Sequence, residues 1–132
     1  LAPPDVIEAR YEHINNFERL LASNGTRILK FYLHITKAEQ KERFQERLDR
    51  PDKQWKFNKG DLPVRERWDD YMQAFEVALT RCNTPLAPWH IVSADRRWYR
   101  DLVVTRTIIE TLRDMDPQYP PAEDLDGVVI PD

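Results

Sequence analysis

The sequence predicts an α/β domain built around a parallel sheet, and three observations lead to that class. Apolar periodicities alternate in the order helix, strand, helix, helix, strand, helix, which is typical of crossover connections between parallel strands. Residues 27–35 form a short and nearly continuous apolar run, which favours a strand buried on both faces. The length of 132 residues suits a single packed core.

The first two elements are a helix and a strand. Residues 5–22 repeat apolar side chains at three- and four-residue spacing, which predicts a helix. Asp5 can cap its start after two prolines, and Gly25 supplies a stop. The apolar run at 27–35 follows at once as the first strand.

Two predicted helices and a loop separate the strands. Thr36 and Glu39 have the spacing of a capping box, which predicts a helix from 36 to about 48. Pro51 ends it, because a proline disfavours the helical conformation in the residue before it. A loop over 50–62 leads to a second helix, predicted over 64–81.

The last predicted elements are a strand, a helix and a tail. Residues 89–93 read as a short strand, and Asp95 can cap a final helix over 96–113. The segment 114–132 is rich in proline and acidic residues and reads as an extended tail. A sheet of only two parallel strands leaves both edges open, so we expect further strands of this fold to lie outside this chain.

Composition excludes several classes of protein. The net charge of −3 argues against a nucleic-acid-binding domain, which usually carries a clear positive excess. No apolar run approaches the ~20 residues of a membrane helix. The single cysteine, Cys82, fits a reducing compartment and predicts a cytoplasmic protein. With three glycines, the chain contains no G-x-x-x-x-G-K or G-x-G-x-x-G motif.

Positive charge is concentrated in residues 37–67, which we call the basic segment. It holds ten basic and seven acidic residues, a local charge of +3, whereas the remainder of the chain carries −6. Its arginines at i, i+4 and i+7 share one helix face, and lysines flank a tryptophan in the following loop. These candidate phosphate ligands are Arg43, Arg47, Arg50, Lys53 and Lys56, with Trp55 as a candidate stacking residue.

Two interpretations of the basic segment are open on spacing alone. Arginine forks and mobile lysines suit phosphate oxygens, which favours an anion clamp. A solvated helix face is the alternative, because Glu39–Arg43 and Glu46–Arg50 have the spacing of i,i+4 ion pairs. The loop Ser93–Arg97 is a second candidate site, since ligands of open α/β sheets bind at the carboxyl ends of strands, and simple capping of the next helix is the alternative.

Several stretches in one order resemble the C-terminal half of the polyphosphate kinase 2 family. They are RYEHINNFER at 10–19, GTRILKFYLHI at 25–35, EQKERFQERLD at 39–49, PDKQWKF at 51–57, GDL at 60–62, WDDY at 68–71, APW at 87–89, AD at 94–95 and WY at 98–99. Together they span about a hundred residues.

The resemblance implies the C-terminal part of a P-loop kinase, a three-layer α/β/α fold with a parallel sheet. It implies phosphoryl transfer between inorganic polyphosphate and a nucleoside mono- or diphosphate with Mg²⁺, in a homo-oligomer. Residues 1–113 would form the last part of the kinase domain, with a lid at about 37–67. The P-loop half is expected outside this chain, so the 132 residues alone are predicted to be inactive.

The resemblance also implies roles for individual residues. Arg43 and Arg47 would act on the transferred phosphoryl group as catalytic residues. Three further cations, Arg50, Lys53 and Lys56, would bind the neighbouring phosphates. Trp55 and Asp95 are candidates for nucleotide binding. The alternative function is a non-catalytic module that binds nucleic acid or an acidic partner through the basic segment.

Overall fold

The computed structural model describes residues 2–131 as an α/β structure, which confirms the predicted class. The elements in order are helix α1 (Pro4–Ser23), strand β1 (Lys30–His34), helix α2 (Lys37–Asp49), a 3₁₀ turn (Gln54–Lys56), helices α3 (Asp61–Glu66) and α4 (Trp68–Arg81), strand β2 (Trp89–Ser93) and helix α5 (Arg97–Met115).

The two strands pair in parallel, as the sequence predicted. The register runs from Lys30 opposite Trp89 to His34 opposite Ser93. Because the strands are parallel, their carboxyl ends lie at the same edge of the sheet, and α2 and α5 begin just beyond that edge. The sheet therefore places the starts of these two helices next to each other.

The structure corrects three local predictions. The helix predicted over 64–81 is two helices, α3 and α4, with the break at Arg67. Asp5 lies inside the first turn of α1, which begins after Pro3 with no side-chain cap. Helix α5 also begins without a side-chain cap, because the Asp95 carboxylate binds elsewhere.

A buried ion pair joins α1 to the sheet. Lys30 Nζ donates to Glu18 Oε2 at 2.8 Å and to the Cys82 carbonyl at 2.5 Å, and it lies 5.0 Å from the centre of the Trp89 ring. Tyr32, on the same face of β1 as Lys30, packs against Phe75 of α4 with 5.2 Å between ring centres. Helices α1 and α4 therefore cover this face of the sheet.

Cys82 follows the last residue of α4 and packs against α1. Its side chain is buried, and Sγ lies 3.8 Å from the Tyr11 carbonyl oxygen. Burial raises the pKa of the Cys82 thiol above its ordinary value. The thiol is thus held in its neutral form inside the fold.

The described chain leaves many large apolar side chains exposed. Ile91, in the middle of β2, is 69% exposed, whereas Val92 on the opposite face is 2% exposed. Among residues 2–131, no helix is both long and apolar enough to cross a membrane. Beyond α5 the described residues form no further helix or strand.

Candidate functional site

The N-terminus of α2 lies at the carboxyl edge of the sheet and receives two caps. Thr36 Oγ1 accepts a hydrogen bond from the Glu39 backbone N–H at 3.1 Å, as a capping box requires. The second half of the box differs, because the Thr36 backbone N–H donates to Asp95 Oδ1 at 2.9 Å. Asp95, predicted as a cap for α5 and a nucleotide ligand, therefore caps α2 from the neighbouring loop.

Arg43 is held by protein acceptors. Its Nε donates to Glu39 Oε1 at 2.8 Å, and its Nη2 donates to the carbonyl oxygens of Ala94 at 2.7 Å and Asp95 at 3.2 Å. These contacts occupy three of the five N–H donors of a guanidinium. The ion pair predicted from the i,i+4 spacing of Glu39 and Arg43 is confirmed.

Arg47 lies one turn further along α2 in a different environment. Its guanidinium carbon lies 5.6 Å from the centre of the Phe44 ring, and Phe44 meets Phe57 edge to face with 5.9 Å between ring centres. Within residues 2–131, Arg47 forms no ion pair and donates no side-chain hydrogen bond. Stacking on Phe44 fixes the position of the charge and leaves its donors available.

Two other cations of the basic segment are paired with acids. Arg50 Nη2 lies 2.9 Å from Asp52 Oδ2, and Lys53 Nζ donates to Glu46 Oε1. Arg50 Nη1 also lies 3.7 Å from Glu46 Oε1, which confirms the second predicted i,i+4 pair. The hydrogen bond from Lys53 lowers the pKa of Glu46, and the hydrogen bond from Arg50 lowers the pKa of Asp52.

The 3₁₀ turn presents an aromatic ring to solvent. Trp55 is 79% exposed, and its Nε1–H donates to the Asp52 carbonyl at 3.1 Å. Lys56 Nζ lies 4.9 Å from the centre of that ring. The hydrogen bond holds the indole in one position although the ring has little packing around it.

An open pocket of about 460 Å³ lies at the carboxyl edge of the sheet between α2 and α5. Its lining residues are Glu39, Glu42, Arg43, Glu46 and Arg97. In the part of the chain that the structure describes, no three His, Cys, Asp or Glu side chains gather as metal ligands.

The structure sorts the predicted site residues into three groups. Arg43 and Asp95 come together at the sheet edge, Arg50 and Lys53 share Glu46, and Lys56 lies over the ring of Trp55, whereas Arg47 lies apart from these three groups. Arg97, the last residue of the predicted loop site at 93–97, lines the pocket. Sequence reasoning named this loop because ligands of open α/β sheets bind at the carboxyl ends of strands, but it gave Arg97 no individual role.

Comparison with known proteins decides the family. The family model for polyphosphate kinase 2 matches residues 1–120. The chain belongs to the polyphosphate kinase 2 family. Membership confirms the resemblance that the sequence motifs indicated. The 42% sequence identity to a solved polyphosphate kinase 2 structure shows that the fold is shared as well.

The similar proteins are longer than this chain. An AMP/ADP-polyphosphate phosphotransferase from Meiothermus ruber is 50% identical over 123 residues, which cover 93% of this chain and 46% of that protein. An ADP-polyphosphate phosphotransferase from Rhodopseudomonas palustris is 45% identical over 111 residues, 84% of this chain and 38% of that protein.

The solved structures agree with the sequence matches. The crystal structure of polyphosphate kinase 2 from Arthrobacter aurescens TC1 superposes with a TM-score of 0.88 over 93% of this chain and 44% of that one. The chain therefore spans less than half the length of each of these three relatives.

Proposed function

We propose that the natural protein containing this chain transfers a phosphoryl group between inorganic polyphosphate and a nucleoside mono- or diphosphate. The proposal rests on family membership and on the activities for which relatives are named, phosphotransfer between polyphosphate and AMP or ADP. In this proposal the basic segment is the lid, the part that closes over the phosphates. The observation that carries the role of the lid is the guanidinium of Arg47, which packs on the Phe44 ring and has no acidic partner among residues 2–131.

Phosphoryl transfer gives the protein little covalent work to do. Its rate depends on aligning the donor and acceptor and on neutralising the negative charge of the transferring group. A guanidinium with free donors can bind two phosphate oxygens at once, so Arg47 is the proposed catalytic arginine. Lys56, whose ammonium also has no acidic partner within residues 2–131, is proposed to hold a neighbouring phosphate.

Arg50 and Lys53 are proposed to bind phosphate by exchanging partners. Each already faces a carboxylate, Asp52 and Glu46 respectively. A phosphate of the polymer would have to displace these acids, and the two carboxylates would neutralise Arg50 and Lys53 when no polyphosphate is bound. Trp55 is proposed to stack on the nucleotide base, because its ring is exposed and held in place.

Mg²⁺, a homo-oligomeric state and a cytoplasmic location complete the proposal. The metal would neutralise the phosphates of the nucleotide and the polymer. Because the described residues offer no group of three ligands for it, no step is assigned to the metal through this chain.

The experiment is a phosphotransfer assay of the natural protein with polyphosphate and AMP or ADP. Arg47→Ala is expected to lower kcat by about ten- to a thousandfold, because the guanidinium stabilises charge that develops in the transition state. Arg106→Ala is the matched control, since Arg106 is an exposed arginine of α5 that pairs with Glu110 at 3.5 Å. Unchanged kcat in Arg47→Ala would contradict the proposed role.

The alternative function is distinguished by a binding competition. A phosphotransferase is expected to bind short polyphosphate in competition with nucleotide. A nucleic-acid-binding module would bind single-stranded or duplex nucleic acid and show no measurable affinity for polyphosphate, and that result would favour the alternative.

A further inference from the structure

We propose that the outer face of α5 is a surface through which two copies of the natural protein pair, with their α5 helices packed antiparallel about a twofold axis. The residues of this face, which we call the α5 stripe, are Trp98, Leu102, Thr105, Ile109 and Leu112. The inference deepens the proposed function, because it assigns a surface to the homo-oligomer. It rests on that proposal only in taking the partner to be a second copy.

The α5 stripe points away from the sheet. Helix α5 packs on β2, and its half-buried residues are Arg100, Val103, Val104, Thr107 and Thr111. At about 100° of rotation per residue, these side chains centre about 160° around the helix from the stripe. The stripe therefore lies on the side of α5 where a surface helix normally carries charged and polar residues.

The α5 stripe is apolar although it faces outward. Its four apolar side chains are each more than 40% exposed, and Thr105 at its centre is exposed as well. An open groove of about 420 Å³ runs along it. The residues that line this groove are Leu102, Thr105, Arg106, Ile109, Glu110 and Arg113. A contiguous apolar surface of this kind, bordered by polar residues, is typical of a face that another molecule covers.

The part of the kinase domain outside this chain is not expected to cover the α5 stripe. In a three-layer α/β/α fold, each helix packs one face on the sheet, and its opposite face forms the outer surface of the domain. Further strands and helices would extend the sheet and its two helix layers sideways. The outer face of α5 is therefore left for another molecule.

The spacing of the α5 stripe indicates the kind of partner. Its residues follow one another at intervals of four, three, four and three positions, which is the spacing of the a and d positions of a coiled coil. Such a seam packs against a second helix, whose side chains insert between its own. The partner of α5 is thus a helix with an apolar seam of the same spacing.

A second α5 meets that requirement when it runs in the opposite direction. In an antiparallel pair centred on the level of Thr107, Leu102 of one copy is level with Leu112 of the other. In the same pair, Thr105 is level with Ile109. Because the axis is twofold, each of these contacts occurs twice, so the stripe forms four layers with a copy of itself.

Side chains in and beside the stripe fit this arrangement. The hydroxyl of Thr105 can donate to the carbonyl four residues earlier, as the hydroxyls of Thr107 and Thr111 do at 3.0 Å and 2.8 Å. At each end of the pair, the Arg113 guanidinium of one copy is level with the exposed Tyr99 ring of the other, which suits a cation–π contact. Neither the polar centre nor the ends of the seam oppose pairing.

The fold prepares α5 for pairing. The stripe is about 21 Å long from Trp98 to Leu112, and an isolated helix of that length is only marginally stable in water. Packing on β2 already orders α5 within a single copy. Association therefore has to order side chains alone, which lowers its entropic cost.

The first test is the association of the natural protein, measured by sedimentation equilibrium without substrate. Ile109→Asp is expected to raise the dissociation constant of the pair at least about a hundredfold, because pairing would bury two carboxylates without partners. Ile109→Leu keeps the seam apolar and is the matched control, with a dissociation constant within about tenfold of the wild-type value. Circular dichroism checks that both variants are folded.

Cysteine pairing tests the direction of the helices. Leu102→Cys and Leu112→Cys are expected to form a disulfide between copies only when the two variants are mixed, because these positions are level in the antiparallel pair. Within a pair of either variant alone, the two new cysteines would lie about 15 Å apart along the helix axis. A disulfide requires Cα atoms within about 7 Å of each other. The wild-type protein is the control for native cysteines, and Cys82 is buried.

Four results would overturn the proposal. They are a natural protein that stays a single copy at every concentration measured, wild-type association of Ile109→Asp, a disulfide between copies of Leu102→Cys alone, and no disulfide when the two cysteine variants are mixed. A lower melting temperature of Ile109→Asp with unchanged association would show that the stripe is covered within one copy, by the tail or another part of the same chain. Association is measured without substrate, so it tests the surface even if the natural protein lacks the proposed activity, and the two failures are distinguishable.

Discussion

The buried pair of Lys30 and Glu18 gives the sharpest prediction about stability. Both side chains are 10% exposed, and Lys30 also donates to the Cys82 carbonyl. Lys30→Met keeps most of the aliphatic stem and removes the ammonium, so the Glu18 carboxylate stays buried without its partner. Removing one member of a buried ion pair costs about 3–5 kcal/mol. We expect the free energy of unfolding to fall by that amount.

The matched control replaces the basic residue of an exposed ion pair by methionine. Arg27 Nη2 lies 2.8 Å from Asp114 Oδ2, and these side chains are 51% and 66% exposed. Arg27→Met is expected to cost about 0–1 kcal/mol, because solvent already screens both charges. Urea unfolding, followed by circular dichroism, measures the free energy of unfolding of both variants of the natural protein. An unchanged slope m of that free energy against urea concentration checks that unfolding stays two-state.

A double variant tests the cause of the loss. Lys30→Met combined with Glu18→Met removes both charges, so no carboxylate is left buried alone, and part of the stability is expected to return. The recovery is incomplete because the Cys82 carbonyl still lacks its donor, which costs about 1–3 kcal/mol. Equal losses in Lys30→Met and Arg27→Met would refute the reasoning, since burial would then have no effect on the pair.

Three further predictions concern the lid. The hydrogen bond from Lys53 holds the pKa of Glu46 below its ordinary value in the folded protein. This bond therefore stabilises the lid fully at pH values above the ordinary carboxyl pKa, and the stabilisation is lost as the pH falls through the lowered pKa. Lys53→Ala is expected to raise the pKa of Glu46, which carbon-13 NMR titration measures. Trp55→Ala is expected to raise the nucleotide KM about five- to a hundredfold through lost stacking, and to change the unfolding free energy by less than about 0.5 kcal/mol; unchanged KM would contradict the stacking role. Polyphosphate affinity, measured by calorimetry, is expected to weaken as salt rises, and a salt-independent affinity would argue against a charge-based lid.

Local sequence signals predicted most of the secondary structure because their causes are local. The side chain of Thr36 caps α2 three residues ahead, and the apolar run around Tyr32 forms β1. The break at Arg67 was missed although a signal existed. Asp69 and Asp70 stand in the first turn of α4, where acids favour the helix N-terminus, and Arg67 Nε donates to Asp70 at 3.0 Å.

Tertiary contacts explain what the sequence could not predict about the site. Asp95 was expected to cap the helix that follows it, but parallel pairing of the strands brings it beside Thr36. Arg43 and Arg47 lie on one face of α2 at i,i+4 spacing. From the sequence alone, both arginines would therefore be expected to have the same surroundings. Only the fold shows that one arginine reaches the sheet edge and the other stacks on Phe44.

Cys82, the single cysteine of this chain, can report when the helices around it separate. Cys82 lies where α1 and α4 meet, and its raised pKa keeps the thiol protonated at neutral pH. A thiol-reactive probe can therefore modify it only when those helices separate. The labelling rate of Cys82 then reports how often those helices separate.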